Sequence, residues 1–347
     1  MSTKRERRRL PESAAHLAAA LPRSRLHPAV VAWAEQCSSR AKWAVAFSGG
    51  ADSLAVLLLV WAHWPKRRAR LTALHFDHRL RGAESRGDAA FCRKVCAALG
   101  VTLVVDRWRD APKVASEAAA RAARMAFFER HARTIWLGHQ QDDIAESMLM
   151  RLARGSGAGG LAAPRPVQTR GGGRVHLRPL LTLKKSEIVA ALREAGVPWR
   201  EDSTNEGGDF FRNRVRRDVV PAWAAAAERD AQGGAARSRE LLEEDDSALE
   251  GWLDSLGAMD GRGALKLGVL AGKPRALWRR ALHRWLLAQS RAGELSRPGF
   301  ETLLAVIERG TPTRQSLGRE GFGVIRGGML RFGSAGNPKR RFHGHAN

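Results

Sequence analysis

Ser48-Gly49-Gly50-Ala51-Asp52-Ser53 lies between the apolar run Ala44–Phe47 and a second apolar stretch that starts at Leu54. The first run reads as a buried strand and the second as a helix, with the hexapeptide as the turn between them. Small residues in such a turn let backbone N–H groups come close to an anion, and a helix start adds a favourable dipole. Ser48 and Ser53 add hydroxyl donors. Asp52 would repel phosphates unless a cation lay between them, so its presence predicts Mg²⁺. The plainer reading is a glycine turn in which Asp52 and Ser53 cap the helix. The string is neither G-x-x-x-x-G-K-[ST] nor G-x-G-x-x-G.

Outward from this turn, Leu71–Phe76, Val101–Val105 and Thr134–Leu137 read as further buried strands, with helices near 52–64, 84–99 and 116–132 between them. Apolar strands separated by helices of this length predict an α/β fold with a parallel sheet covered on both faces. Ser116 is the expected N-cap of the third helix. The glycine runs 155–160 and 171–173, with Pro164 and Pro166 between them, make 155–175 a loop without regular structure. Ser186–Ala195 reads as a helix closed by Gly196 and Pro198, followed by helices at 238–256, 275–290 and 299–309 and short strands within 317–333. The expected organisation is a basic, floppy N-terminal extension (1–40), an α/β domain (41–220), a small mainly helical domain (221–335) and a basic tail (336–347).

With 59 Lys+Arg against 35 Asp+Glu in 347 residues, the net charge is +24. That excess predicts a polyanionic partner, nucleic acid first and an anionic membrane surface second. Cys37, Cys92 and Cys96 cannot form a disulfide framework or a paired C-x-x-C zinc site. Cys92 and Cys96 share one helical face, which reads as core packing in a reducing, cytoplasmic compartment. The longest apolar run, from Leu54 toward Trp64, is short of the ~20 residues of a membrane span.

Two more strings leave predicted strands: His75-Phe76-Asp77-His78-Arg79-Leu80-Arg81, and Leu137-Gly138-His139-Gln140-Gln141-Asp142-Asp143-Ile144-Ala145-Glu146-Ser147. Parallel strands deliver their C-terminal ends to one edge, so both strings meet the 48–53 turn there. Asp142 or Asp143 shares a helix face with Glu146, a pairing suited to positioning a metal or a nucleophilic amine. The same acids are ordinary first-turn residues otherwise. A zinc reading of His75 and His78 lacks further ligands.

The S-G-G-x-D-S string resembles the loop of the N-type ATP pyrophosphatases (the PP-loop superfamily), which implies adenylation of a substrate oxygen with loss of pyrophosphate. Together with Ser116–Arg124 (SEAAARAAR), Arg151–Leu161 (RLARGSGAGGL), Arg178-Pro179-Leu180-Leu181, Glu201–Asn205 and Phe211–Arg216 (FRNRVR), the strings resemble the tRNA(Ile)-lysidine synthetase family. The likeness is dense over 44–220. Departures are Arg79 where the family usually has Gly, Gln140 where it has His, Ile144 where it has Gln, and Met125 where it has Tyr. A second C-terminal domain of longer members is expected to be missing.

The resemblance implies ligation of free L-lysine to the wobble cytidine of an isoleucine tRNA with a CAU anticodon, through an adenylated cytidine. ATP and Mg²⁺ are the implied cofactors, and a homodimer is one implied form. Ser48, Gly49, Gly50, Ala51, Asp52 and Ser53 would hold the phosphates, and Asp52 and Asp143 the metal. Arg121 or Arg124 would neutralise the α-phosphate, His139 would stand near metal or nucleotide, and Glu146 would position the lysine amine. Arg212, Asn213, Arg214, Arg216 and Arg217, beside Phe210 and Phe211, have the chemistry of an RNA contact, or of a solvated basic helix start. Arg275, Arg279, Arg280 and Arg284 read as a second backbone contact on one helix. Rival readings are a tRNA thiolase, which would need reactive cysteines, an amidotransferase-type synthetase, which would need an ammonia source, and a catalytically silent RNA-binding protein.

Overall fold

The computed structural model describes residues 2–77, 83–108, 116–201, 210–289, 295–318 and 321–334. His78–Arg81, Asp202–Asn205 and the 336–347 tail lie outside the described residues. The chain forms two compact units, 1–243 and 244–347. The division falls beyond the boundary expected near 220.

The first unit begins with α1 (Ser2–Ala20) and α2 (Pro28–Gln36). Ala14, Leu17, Leu21, Leu26, Val30 and Ala34 from this stretch are buried in the main core. Residues 14–34 are therefore packed into the core and are not a floppy arm. Leu10, Ala14 and Leu17 place one apolar stripe on α1, which Leu21 continues just past its end, and burying that stripe docks the helix.

The central sheet is built from β1 (Trp43–Ala46), β2 (Leu71–Asp77), β3 (Thr102–Arg107), β4 (Thr134–Trp136), β5 (Val167–Arg170) and β6 (Arg174–Leu177). Its order is β3-β2-β1-β4-β6-β5, parallel except where β5 runs against β6. The order reverses between β1 and β4, which makes a crevice at their carboxyl ends. The intervening helices are α3 (Ala51–His63), α4 (Ala83–Leu99), α5 (Glu117–His131), α6 (Gln141–Leu152), α7 (Ala158–Leu161) and, after β6, α8 (Lys185–Glu194). Every residue of α3 from Ser53 to Trp61 is buried, as a helix apolar on all sides must be. Trp43, Trp64 and Trp136 pack at centroid distances of 5.0–5.7 Å, so these tryptophans are core. Ser116 caps α5 by accepting from the Ala119 N–H.

The loop expected over 155–175 is corrected by α7 and by the β5–β6 hairpin. Val167–Arg170 pairs residue for residue with Arg174–Leu177. The glycine run is its turn, with φ of 72° at Gly172 and 67° at Gly173, angles that suit glycine.

After α8 come α9 (Phe211–Arg214), a π-helical turn (Val215–Val219), α10 (Val220–Ala226) and α11 (Ala231–Ser255). The second unit contains β7 (Leu265–Lys266), α12 (Arg275–Ala288), α13 (Arg297–Arg309), β8 (Thr313–Ser316), β9 (Gly321–Arg326) and β10 (Met329–Ser334). The strands form an antiparallel sheet in the order β7-β10-β9-β8. Leu277, Ala281, Leu282 and Trp285 of α12 meet Leu303, Leu304 and Ile307 of α13 in one core. The basic side of α12 is largely neutralised within the unit. Arg275 pairs with Glu308, Arg279 with Glu301, Arg280 with Asp246 and Glu250, and Arg284 with Glu250 and Asp254.

Candidate active site

The turn after β1 is tied by its own serines. Ser48 N–H donates to Ser53 Oγ at 3.2 Å, and the Ser53 hydroxyl donates to the Gly50 carbonyl at 3.0 Å. Gly49 has φ of 97°, and a Cβ there would lie 3.3 Å from Phe91 and 3.5 Å from the Cys92 sulfur. Only glycine fits that space and that angle. The Arg200 N–H donates to the Gly49 carbonyl at 3.0 Å, while Arg200 Nε holds Asp88 at 2.9 Å. Asp52, in the first turn of α3, accepts from Lys185 Nζ at 2.6 Å. Burial raises the Asp52 carboxyl above its ordinary range, against the opposing pull of Lys185.

Across the crevice, β4 leads through Gly138 and His139 into α6. A Cβ on Gly138 would lie 3.0 Å from backbone atoms of Asp52 and Ser53, so this glycine lets the two motifs touch. Gln140 caps α6: its side chain accepts from Asp142 N–H at 2.6 Å, and Asp143 Oδ2 accepts from Gln140 N–H at 2.9 Å. Asp142 accepts from the Lys185 N–H at the start of α8. That leaves Asp143 as the partner of Glu146, and both are buried.

Two arginines engage this acid pair. Arg212 reaches Asp143 at 2.5 Å and Glu146 at 2.8 Å, and Arg216 reaches Glu146 at 2.5 Å. These two residues, expected on RNA, turn toward carboxylates instead, because an unneutralised acid pair this deep would be costly. Arg217 pairs with Asp218 on the surface, Arg214 lies over the Phe211 ring, and Asn213 is half-buried.

A model of the PP-loop domain family matches residues 24–223, more than half of the chain. A tRNA(Ile)-lysidine synthase from Gloeobacter violaceus is 36% identical over 269 residues, covering 76% of this chain and 81% of that one. The chain belongs to the PP-loop tRNA(Ile)-lysidine synthase family. A relative of the same name from Solibacter usitatus is 36% identical over 281 residues, and this chain spans 62% of its length. Among solved structures, a U34-tRNA thiolase NcsA from Methanococcus maripaludis aligns over 69% of this chain at 16% identity, with a TM-score of 0.49.

In this PP-loop family member the remaining motif residues gather around His139. Its ring Nδ1 accepts from Arg178 Nε at 3.3 Å. Burial, followed by the charges of Arg178, Arg212, Arg121 and Arg124, holds His139 well below the usual imidazole range. Arg121 and Arg124 lie near enough for their charge to lower the imidazole. His75 is a buried, satisfied histidine whose Nδ1 lies 2.9 Å from the Phe47 carbonyl. Cys92 and Cys96 are buried beneath the loop, as core packing predicts, and burial pushes the Cys96 thiol up to about 12. Such thiols are poor nucleophiles. Among the described residues no group of three or more His, Cys, Asp or Glu is placed to hold a metal, and no helix is long and apolar enough to cross a membrane.

Sequence reasoning missed Lys185, Arg200 and the work of Arg178. Lys185 carried one signal: a lysine at the first position of α8 opposes the helix dipole, so some other partner was required.

Proposed function

We propose that the chain joins lysine to the wobble cytidine of an isoleucine tRNA bearing a CAU anticodon. ATP adenylates the cytidine carbonyl oxygen with release of pyrophosphate; the lysine ε-amine then attacks the ring carbon and AMP leaves. The carrying observation is the buried acid pair Asp143–Glu146 beside the PP-loop, each member already engaged by a guanidinium. Carboxylates so placed suit a cationic co-substrate, and the ammonium of lysine would take up the charge that Arg212 and Arg216 now neutralise. A carboxylate raises the pKa of a nearby ammonium, so Glu146 positions the amine and does not strip its proton.

The loop N–H groups and serine hydroxyls suit the phosphates of ATP, with Arg121 and Arg124 contributing positive charge near His139. Mg²⁺ needs only one or two carboxylates beside phosphate oxygens. Asp52 and Asp143 offer that hard-oxygen pair, and their carboxyls lie close enough to influence one another's charge. Bound there, the metal would neutralise the pyrophosphate portion of ATP. The decisive assay combines ATP, Mg²⁺, radiolabelled lysine and a CAU-anticodon transcript. Magnesium-dependent label in the RNA is expected; no label with or without Mg²⁺ would sink the reading.

A further inference from the structure

Arg178 follows directly on β6 and is 3% exposed, yet among the described residues its hydrogen bonds all go to uncharged acceptors. Nη1 donates to the Arg165 carbonyl at 2.7 Å, Nη2 to the Gln168 side-chain oxygen at 3.1 Å, and Nε to His139 Nδ1 at 3.3 Å. Among the described residues no carboxylate pairs with Arg178, and such a buried cation is costly to keep; burial, with the charges of Arg121 and Arg170 against the weaker pull of Asp143, pushes it down to about 9.

The third of those bonds constrains the imidazole. A guanidinium has donors only, so the His139 nitrogen facing it must present a lone pair. A proton on Nδ1 would set N–H against N–H. The neighbouring charges are one-sided as well: Arg178 follows β6, Arg121 and Arg124 belong to α5, and Arg212 to α9. The counter-charges are Asp143 and Glu146 on α6, and both are held by Arg212. The ring's single proton is left on Nε2, which meets no hydrogen-bond partner among the described residues.

We propose that Arg178 is a positioning residue that fixes His139 as the Nε2–H tautomer, making His139 a hydrogen-bond donor to a phosphoryl oxygen of the bound nucleotide and not a proton carrier. The identity of that oxygen rests on the ATP chemistry proposed above; the tautomer does not. Gly138 holds His139 next to the loop that would carry those phosphates, because its bare Cα abuts Asp52 and Ser53. Donors fixed in advance toward developing phosphoryl charge are worth about 100-fold or more in rate.

The test is a nitrogen-15 spectrum of histidine-labelled protein at neutral pH, with the His139 signals identified by their loss in His139→Gln. A bare Nδ1 and a protonated Nε2 are expected in the wild type. Arg178→Met should yield a mixture of tautomers or the imidazolium; Arg178→Lys, which keeps the charge but not the planar fork, should yield the mixture. A protonated Nδ1 in the wild type overturns the proposal without any variant having to fold, and so does an unchanged spectrum in a folded Arg178→Met. In ATP–pyrophosphate exchange with tRNA present, His139→Gln, whose amide can donate from near the Nε2 position, should retain at least tenfold more activity than His139→Ala. Equal loss would show that His139 carries a proton. Because the spectrum is read on the chain alone, it can fail while lysine incorporation succeeds, or the reverse.

Discussion

Glu146 concentrates the chemistry into one side chain: it is 2% exposed and shares its two oxygens between Arg212 and Arg216. Glu146→Gln preserves the shape and removes the charge that would hold a lysine ammonium. Lysine transfer should fall by about 100-fold, while tRNA-dependent pyrophosphate exchange stays measurable; equal loss of both steps would refute the assignment. Glu146→Ala is the harsher change, because it also strips two arginines of a partner and should cost about 3 kcal/mol in urea unfolding. At this scale the sequence showed which acids share a helix face. It did not show that Arg212 and Arg216, some 66–70 residues away, close over them. Basic residues beside aromatics read equally well as an RNA contact, and only tertiary packing separates the two.

Elements with clear periodicity were legible. The observed β1, β2, β3 and β4 fall within two residues of the strands read from apolar runs, and α3, α4, α5, α8, α12 and α13 have the same agreement to within a turn. The β5–β6 hairpin was not legible, because glycines and prolines punctuate a loop and a tight turn alike. The docking of α1 was hidden behind its basic neighbours, although Ala14, Leu17 and Leu21 carried it. The contact between the PP-loop and the β4–α6 junction likewise depends on one missing side chain. Gly138→Ala would place a Cβ 3.0 Å from the Asp52 and Ser53 backbone, which cannot rotate away. It should lower stability by about 1–3 kcal/mol and raise the KM for ATP. Gly251, in α11 and within the second unit, has no heavy atom within 4 Å of an added Cβ, so Gly251→Ala should stabilise that unit by up to ~1 kcal/mol. Thermal melts of the two variants should move in opposite directions. A Gly138→Ala protein with wild-type melting and KM would mean that the junction yields.

For the molecule as a whole, the +24 net charge bears on binding and buried imidazoles bear on folding. Many arginines that looked available for RNA are held by carboxylates, yet the excess of base over acid persists, so affinity for the proposed tRNA partner should fall steeply with salt. Acid should act on the fold through its buried imidazoles, His176 and His27 as well as His139. His176 in β6 is fully buried, and His27 caps α2 while 8% exposed. Burial first, and then nearby arginines, push each down to about 4, against ~6.5 in an unfolded chain. Below pH ~6.5 the unfolded chain takes up protons that the folded unit refuses, so stability is full above that value and is lost as the pH falls toward 4. The two histidines together should withdraw roughly 5 kcal/mol across that window. His176 separates this from general acid unfolding: among the described residues neither ring nitrogen has a hydrogen-bond partner, so His176→Leu removes no bond and leaves nothing to protonate. The urea midpoint of the wild type should fall between about pH 7 and 4.5, and that of His176→Leu should fall by less over the same range. Parallel slopes for the two proteins would place the acid sensitivity elsewhere.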